Sequence, residues 1–218
     1  MNNQSTVPVW DILIRIFHWS LVVSFIVAYL TSEEENPWHI YSGYTVLGLI
    51  IFRLIWGFIG SQYARFSEFA RSPAVVYQYV KSLRAGHPQH YLGHNPLGGW
   101  MVIAMLLTLF VVTLSGLKVY AIEEGKGPLA GAQQMQLTPI AEAYAEDEDE
   151  DEDEEDREQK STEASKADEE FWEEIHEASS NLMLLLIAFH VFGVILSSRL
   201  HRENLIKAML TGKKNRNH

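Results

Sequence analysis

Ionisable side chains stand inside stretches apolar enough to cross a membrane: His18, His39, His176 and His190, with Arg15 and Arg53. Such groups are costly in a bilayer and mark functional sites by default. An imidazole there can hydrogen-bond, carry a proton or ligate a metal. Depth decides between these roles, so the helices that set the depth come next. The carrying segments run over about Ile12–Leu30, His39–Ile59, Leu97–Leu117 and Ile175–Ser198. Each is close to the roughly 20 residues that a span requires. The fourth is diluted at its start by Glu177, Ser179 and Ser180, and its firm core runs from Leu182 to Ser198. A soluble bundle of very apolar helices is the alternative, and it fits badly because the stretches are apolar nearly all round. None shows the short alternating segments of a barrel.

Lys and Arg near the span ends set the direction. The second connection holds Arg65, Arg71, Lys81 and Arg84, and the C-terminal tail holds Arg199, Arg202, Lys207, Lys213, Lys214 and Arg216. The first connection, Thr31–Trp38, holds neither residue type. The third is long and acidic, and long loops translocate largely regardless of charge. Both termini and the second connection are therefore expected in the cytoplasm, and the first and third connections outside. The N-terminus lacks a basic region and a cleavage site, so the first span is expected to be retained as an anchor.

With that direction, His18 lies in the cytoplasmic third of span one, and His39 lies at the outer mouth of span two. His176 is near the outer surface of span four, and His190 is deeper by about 21 Å at 1.5 Å per residue. Fourteen residues is close to four helical turns, so His176 and His190 face nearly the same side, about 40° apart. His39 can then meet His176 near the outside, and His18 can meet His190 nearer the inside. Two stacked bis-histidine pairs are the geometry of two b-type haems, which need no covalent link to the chain. Gly43, four residues after His39, and Gly193, three after His190, permit the close approach of a macrocycle. Gly98, Gly99 and Gly116 stand near the ends of span three. Arg53, fourteen residues after His39, and Arg15, three before His18, can neutralise an inner propionate.

Other roles fit the set less well. A single buried His is often only a hydrogen-bonded interior residue, but depth-matched pairing of four makes that a poor account of them together. A proton relay or transporter would show intramembrane carboxylates or broken helices. Zinc or copper would want a compact cluster instead of sites so far apart. Arg15 and Arg53 can also simply snorkel to the interface.

The chain has 218 residues, no Cys and a formal net charge of −11. Without Cys there are no disulfides, iron–sulfur clusters or thioether-linked haem. The charge belongs largely to one stretch, about Glu123 to Glu177, with an unbroken run of acids from Glu146 to Asp156. It says nothing in favour of nucleic acid. Such runs self-repel, so residues 123–169 are expected to be a largely disordered outer loop, with little fixed structure from Ile140 until near Phe171. Its roles are a solvated spacer or electrostatic capture of a basic partner. Three parts follow: residues 1–122 with three spans, the loop 123–169, and residues 170–218 with the fourth span and a basic tail.

The stretches "VWDILIRIFHW", "WHIYSGYTVLGLIIFRLIWGFIGSQYARF", "GHNPLGGW" and "IHEASSNLMLLLIAFHVFGVILSS" resemble the bacterial cytochrome b561 family, which includes b-type subunits of nickel–iron hydrogenases. The resemblance covers about Val9–Lys118 and Glu170–Lys214. It implies an all-α membrane protein, a four-helix bundle holding two b haems on His18, His39, His176 and His190. It implies electron transfer in the bacterial inner membrane between the quinone pool and a redox partner, such as a periplasmic c-type cytochrome or an oxidoreductase subunit. The long acidic connection departs from the shorter loop expected. A stand-alone superoxide- or ferric-oxidoreductase coupled to quinone is the rival. A haem-free anchor for a soluble complex is another.

In the second connection, Pro73 can start a short helix through Leu83, with Val76, Tyr79, Val80 and Leu83 on one side, lying on the inner leaflet. His87, His90 and His94 lack helical spacing and a carboxylate, which argues against a metal site. His94 and Asn95, ahead of span three, can border a quinone pocket beside the inner haem.

Overall fold

A computed structural model describes residues 6–32, 36–87, 89–131 and 154–215. Among these described residues four helices are long and apolar enough to cross a membrane: Ile12–Leu30, Pro37–Ile59, Pro96–Glu123 and Lys166–Leu200, the last being part of a longer helix. In chain order the elements are strand β1 (Thr6–Pro8), α1 (Ile12–Leu30), α2 (Pro37–Ile59), short α3 (Phe66–Phe69), α4 (Pro73–Arg84), α5 (Pro96–Glu123), α6 (Glu154–Leu200), α7 (Leu205–Thr211) and β2 (Lys213–Asn215).

The helix ends follow local chemistry. Asp11 caps α1 by accepting from the Ile14 N–H at 2.9 Å, and Thr31 closes it by donating its hydroxyl to the Val27 carbonyl at 2.7 Å. The Asn36 side chain accepts from the Trp38 N–H at 3.0 Å, and Pro37 supplies a preset first-turn φ, so α2 starts two residues before the His39 expected. Helix α5 starts at Pro96 for the same reasons and runs to Glu123, beyond the Leu117 expected. Helix α7 ends at Gly212, whose φ of 79° gives the left-handed cap that glycine tolerates.

The chain divides into two compact units, Met1–Leu109 with Leu182–His218, and Phe110–Asn181. In the first unit α1 and α2 run antiparallel: the carbonyl of Ala28, near the end of α1, meets the His39 ring at the start of α2. At the other end, Asp11 accepts from the Trp56 indole at 3.2 Å and from the Ser61 hydroxyl. The core joins Val46 and Ile50 of α2, Leu109 of α5 and Met183 of α6, with Leu21, Phe25, Met105 and Ile187 packed on it. All four long helices contribute to that core. In lipid its worth is close packing more than exclusion of water. Around it Ile16, Val23, Ile26, Ile51, Phe58, Leu107 and Phe192 are exposed, as a lipid-facing surface requires.

The first and last described segments meet in this unit. β1 pairs antiparallel with β2, Val7 opposite Lys214, and the N–H groups of Val9 and Trp10 both donate to the Gly212 carbonyl. Under this clasp, buried Glu203 takes His90 Nε2 at 2.9 Å and Lys214 Nζ at 3.7 Å. Helix α4 forms where Pro73 predicts it, with Tyr79 buried and Val76, Val80 and Leu83 half-buried on its inward side.

In the second unit α5 and α6 run antiparallel. Val112 meets His176, Lys118 lies 5.8 Å from the Trp172 ring centroid, and Glu123 gathers with Glu169 and Glu173. One expectation fails here. Fixed structure was expected only near Phe171, yet α6 starts at Glu154. Over residues 154–170 the chain is rich in Glu, Ala, Lys, Gln and Arg, all strong helix formers. Arg157, Lys160 and Lys166 are interleaved there, so the acids fall into short groups instead of one unbroken run. The apolar span continuing the same helix then spares the cost of nucleation. Most of the acidic run itself, with residues 132–153, lies outside the described residues.

Candidate haem sites

His18 of α1 and His190 of α6 face each other within the first unit. Their ring centroids are 6.5 Å apart, with the planes at 48°. Two imidazole–metal bonds of about 2 Å, with about 1.2 Å from each nitrogen to its ring centre, put bridged rings about 6.4 Å apart. The observed pair therefore stands at the separation that one shared metal ion sets. Both rings are half-buried. His18 Nδ1 is buried with no hydrogen-bond partner, an arrangement a buried polar atom keeps only where something offsets it.

Arg53 enters the same unit from α2. It is only 3% exposed, with its guanidinium carbon 4.9 Å from the Phe66 ring centre and 5.6 Å from that of Phe69. Cation–π contact holds the group flat, but Nη1 has no hydrogen-bond partner. A buried guanidinium with an unmet donor fits an anion such as a propionate. Asp11 is its carboxylate neighbour within electrostatic reach, and both oxygens of Asp11 are engaged by Ile14, Trp56 and Ser61. Arg15 is half-buried, its Nε also without a partner. It lies along Gly212, where an added Cβ would come within 2.9 Å of Arg15 Nη1.

His94 belongs to the same neighbourhood. Its ring lies 4.7 Å from Trp10 and 5.0 Å from Phe69, centre to centre, and its Nδ1 is buried without a partner. Burial first, then the charges of Arg53 and Lys214 and the imidazoles of His190 and His18, push its pKa down to about 3. His94 is thus a neutral imidazole at physiological pH. Asn95 uses its side-chain oxygen to cap α5, accepting from the Gly98 N–H at 2.7 Å. Of the other loop histidines, His87 is exposed and His90 is taken up by Glu203.

The other two histidines are each held from behind. His39 Nδ1 bonds the Ala28 carbonyl at 2.9 Å, in the first unit. His176 Nδ1 bonds the Val112 carbonyl at 3.0 Å and meets Ser115 Oγ at 3.2 Å, in the second. A carbonyl only accepts, so each Nδ1 carries the hydrogen, and Nε2 is the nitrogen with the chemistry of a metal ligand. Ser115, at 0% exposure, anchors this support. Gly116 completes it, since a Cβ there would stand 2.9 Å from His176 Cε1. At Gly43 and Gly193 an added Cβ meets no protein atom within 4 Å. The space beside both backbones is open, as it also is at Gly48. Gly99 has a protein reason instead: its Cβ would run into the Phe69 carbonyl.

Sequence reasoning passed over Asp11, Ser115 and Trp10. Asp11 carried a readable signal, an acid directly before an apolar run, which is a helix-cap signature. Ser115 and Trp10 carried none, because their roles depend on contacts distant in the chain.

Apolar spanning helices with imidazoles set between them, two at metal-bridging distance, make this a membrane protein of the b-type cytochrome class. A sequence profile of the prokaryotic cytochrome b561 family matches residues 9–212, and the chain belongs to that family. Searches among curated proteins and among solved structures gave no match. Membership carries b-type haem binding and electron transfer in a membrane with it.

Proposed function

We propose that this protein is a dihaem cytochrome b of the bacterial inner membrane, passing electrons between the quinone pool and a periplasmic redox partner. The observation that carries this reading is the 6.5 Å separation of the His18 and His190 rings. His18 and His190 hold the inner haem, and His39 and His176 the outer one. Each haem, held by its histidine pair, would supply reversible one-electron exchange.

The chain's own residues do the rest. The carbonyls of Ala28 and Val112 fix the tautomer and aim of His39 and His176. The donors that Arg53 and Arg15 leave unmet serve the inner propionates. Gly43 and Gly193 let the helix backbones approach the macrocycles. His94, neutral and half-buried, offers a quinone hydroxyl or carbonyl a hydrogen-bond partner beside the inner site, and Asn95 fixes the helix start that follows it. With both termini cytoplasmic, this end of the molecule lies at the inner leaflet and the His39 mouth at the periplasm. The pairing of β1 with β2 supports a common side for the termini.

The test is haem stoichiometry with spectroscopic titration of the purified full chain. Two haems per chain are expected, with two reductive steps. His18→Ala or His190→Ala should lose one haem, and His39→Ala or His176→Ala the other. A chain that purifies with a single haem, or keeps both after any of these changes, refutes the assignment.

A further inference from the structure

Resting on the quinone reading above, we propose that the cavity behind His94 is a water-filled proton route to the cytoplasmic surface, with Glu68 as the carboxylate at which protons are exchanged. A quinone cannot change oxidation state on electrons alone. When a quinol is oxidised, two O–H bonds break, two electrons leave one at a time to the b-type cofactor, and two protons must go to the protein or to water. Reduction runs the same exchange backwards.

The first unit offers few groups for this. Arg53 holds its protons at any working pH. Both oxygens of Asp11 already accept hydrogen bonds. Glu203 is taken by His90 and Lys214. His94 remains, with an unpartnered Nδ1, and it lines a cavity of about 110 Å³. The wall is polar where a water file needs it: Tyr63, Glu68, Arg71 and Tyr91 share it with His94. A space of that size holds several waters, and such waters need two to four polar partners each. Glu68, half-buried on α3, reaches this cavity. No hydrogen bond or ion pair to its carboxylate is seen among the described residues. Arg71, exposed at the same wall, opens it to solvent. Both the backbone and the ring of Phe69 back the region, one against Gly99 and the other against His94, so the wall is rigid.

The bland account is that Glu68 is a solvated acid in the first turn of a short helix, and the experiment separates the two. Glu68→Gln keeps size and hydrogen-bonding but cannot exchange a proton. In the full haem-loaded chain, with a short-chain quinol as donor, this variant should slow quinol-driven haem reduction by about tenfold or more. Reduction by dithionite, which needs no proton, and haem content should stay as in the wild type. Glu68→Asp, or added formate with Glu68→Gln, should restore much of the rate. Independently of turnover, redox-induced infrared difference spectra should show a carboxyl band that Glu68→Gln removes. Wild-type speed in Glu68→Gln with an unchanged infrared spectrum overturns the route and leaves the quinone reading standing. A wild-type chain that takes no electrons from quinol overturns both.

Discussion

Replacing Gly116 by Ala tests the outer site through one methyl group. The new Cβ would stand 2.9 Å from His176 Cε1 and 3.2 Å from Nδ1. Ordinary contact between such atoms is about 3.5–4.0 Å, so the ring must retreat by roughly 0.6–1 Å. It is not free to do so, because Nδ1 is bound to the Val112 carbonyl at 3.0 Å. A retreat of that size stretches the bond past the limit of about 3.5 Å. The imidazole N–H is then left unmet in an apolar setting, at a cost of about 1–3 kcal/mol. At 1.4 kcal/mol per decade, retention of the outer haem falls roughly 5- to 150-fold. The assay is the haem-to-protein ratio of the purified Gly116→Ala chain by alkaline pyridine spectroscopy. The ratio should fall toward one, with the remaining haem lost on adding His190→Ala. A Gly116→Ala chain with both haems at wild-type potentials would refute the argument that Gly116 exists to seat His176.

Gly43→Ala and Gly193→Ala probe the opposite situation, since the added Cβ meets no protein atom within 4 Å. Alanine should favour each helix by about 0.5–1 kcal/mol, so the apoprotein should be no less helical while haem content drops; full haem in both variants removes these glycines from the cradle. Asp11→Ala should lower stability by about 1–2 kcal/mol near neutrality, read as thermal unfolding in detergent. Burial raises the Asp11 pKa, but bonds from Ser61, the Ile14 N–H and Trp56 outweigh it and hold the carboxyl below its ordinary 3.8. A depressed carboxyl contributes stability fully above its unfolded value and loses it as pH falls through the folded one. The gap between wild type and Asp11→Ala should therefore close below about pH 4, and a constant gap would show that the charge of Asp11 is irrelevant.

Much of the architecture was legible because span length and the apolar pattern are local properties. Ile12–Leu30 needed no correction, and the α4 face of Val76, Tyr79, Val80 and Leu83 followed from its spacing. His18 and His190 could be paired from depth alone, because depth along a helix is arithmetic. Over residues 154–170 charge density points to disorder, but helix propensity and the span that continues the same helix outweigh the repulsion. The supports were hidden for a different reason. That Val112 holds His176, or that Trp10 covers His94, depends on which helix faces which, and no periodicity records that. Asn95 was singled out for its position beside His94, but its side-chain oxygen serves the backbone of α5.

The supports also differ between the two proposed haems, and that difference orders their potentials. His39 and His176 each donate Nδ1–H to a backbone carbonyl. Such a bond makes the imidazole a stronger donor to the metal, which stabilises the ferric state and lowers the potential. Among the described residues no carbonyl takes a hydrogen bond from either ring nitrogen of His18, whichever of the two serves the metal. Beside it, in the same unit, the buried cation Arg53 favours the more negative, reduced state. Both effects raise the inner potential relative to the outer one. Redox titration should show two steps, the lower lost in His176→Ala and the higher in His190→Ala. Arg53→Gln should lower the higher step by some 60 mV, a factor of about ten in the one-electron equilibrium, and leave the other in place. Electrons arriving at the His39 mouth would then pass downhill between the haems, toward the side where His94 stands. An outer potential above the inner one would sink both the ordering and that direction.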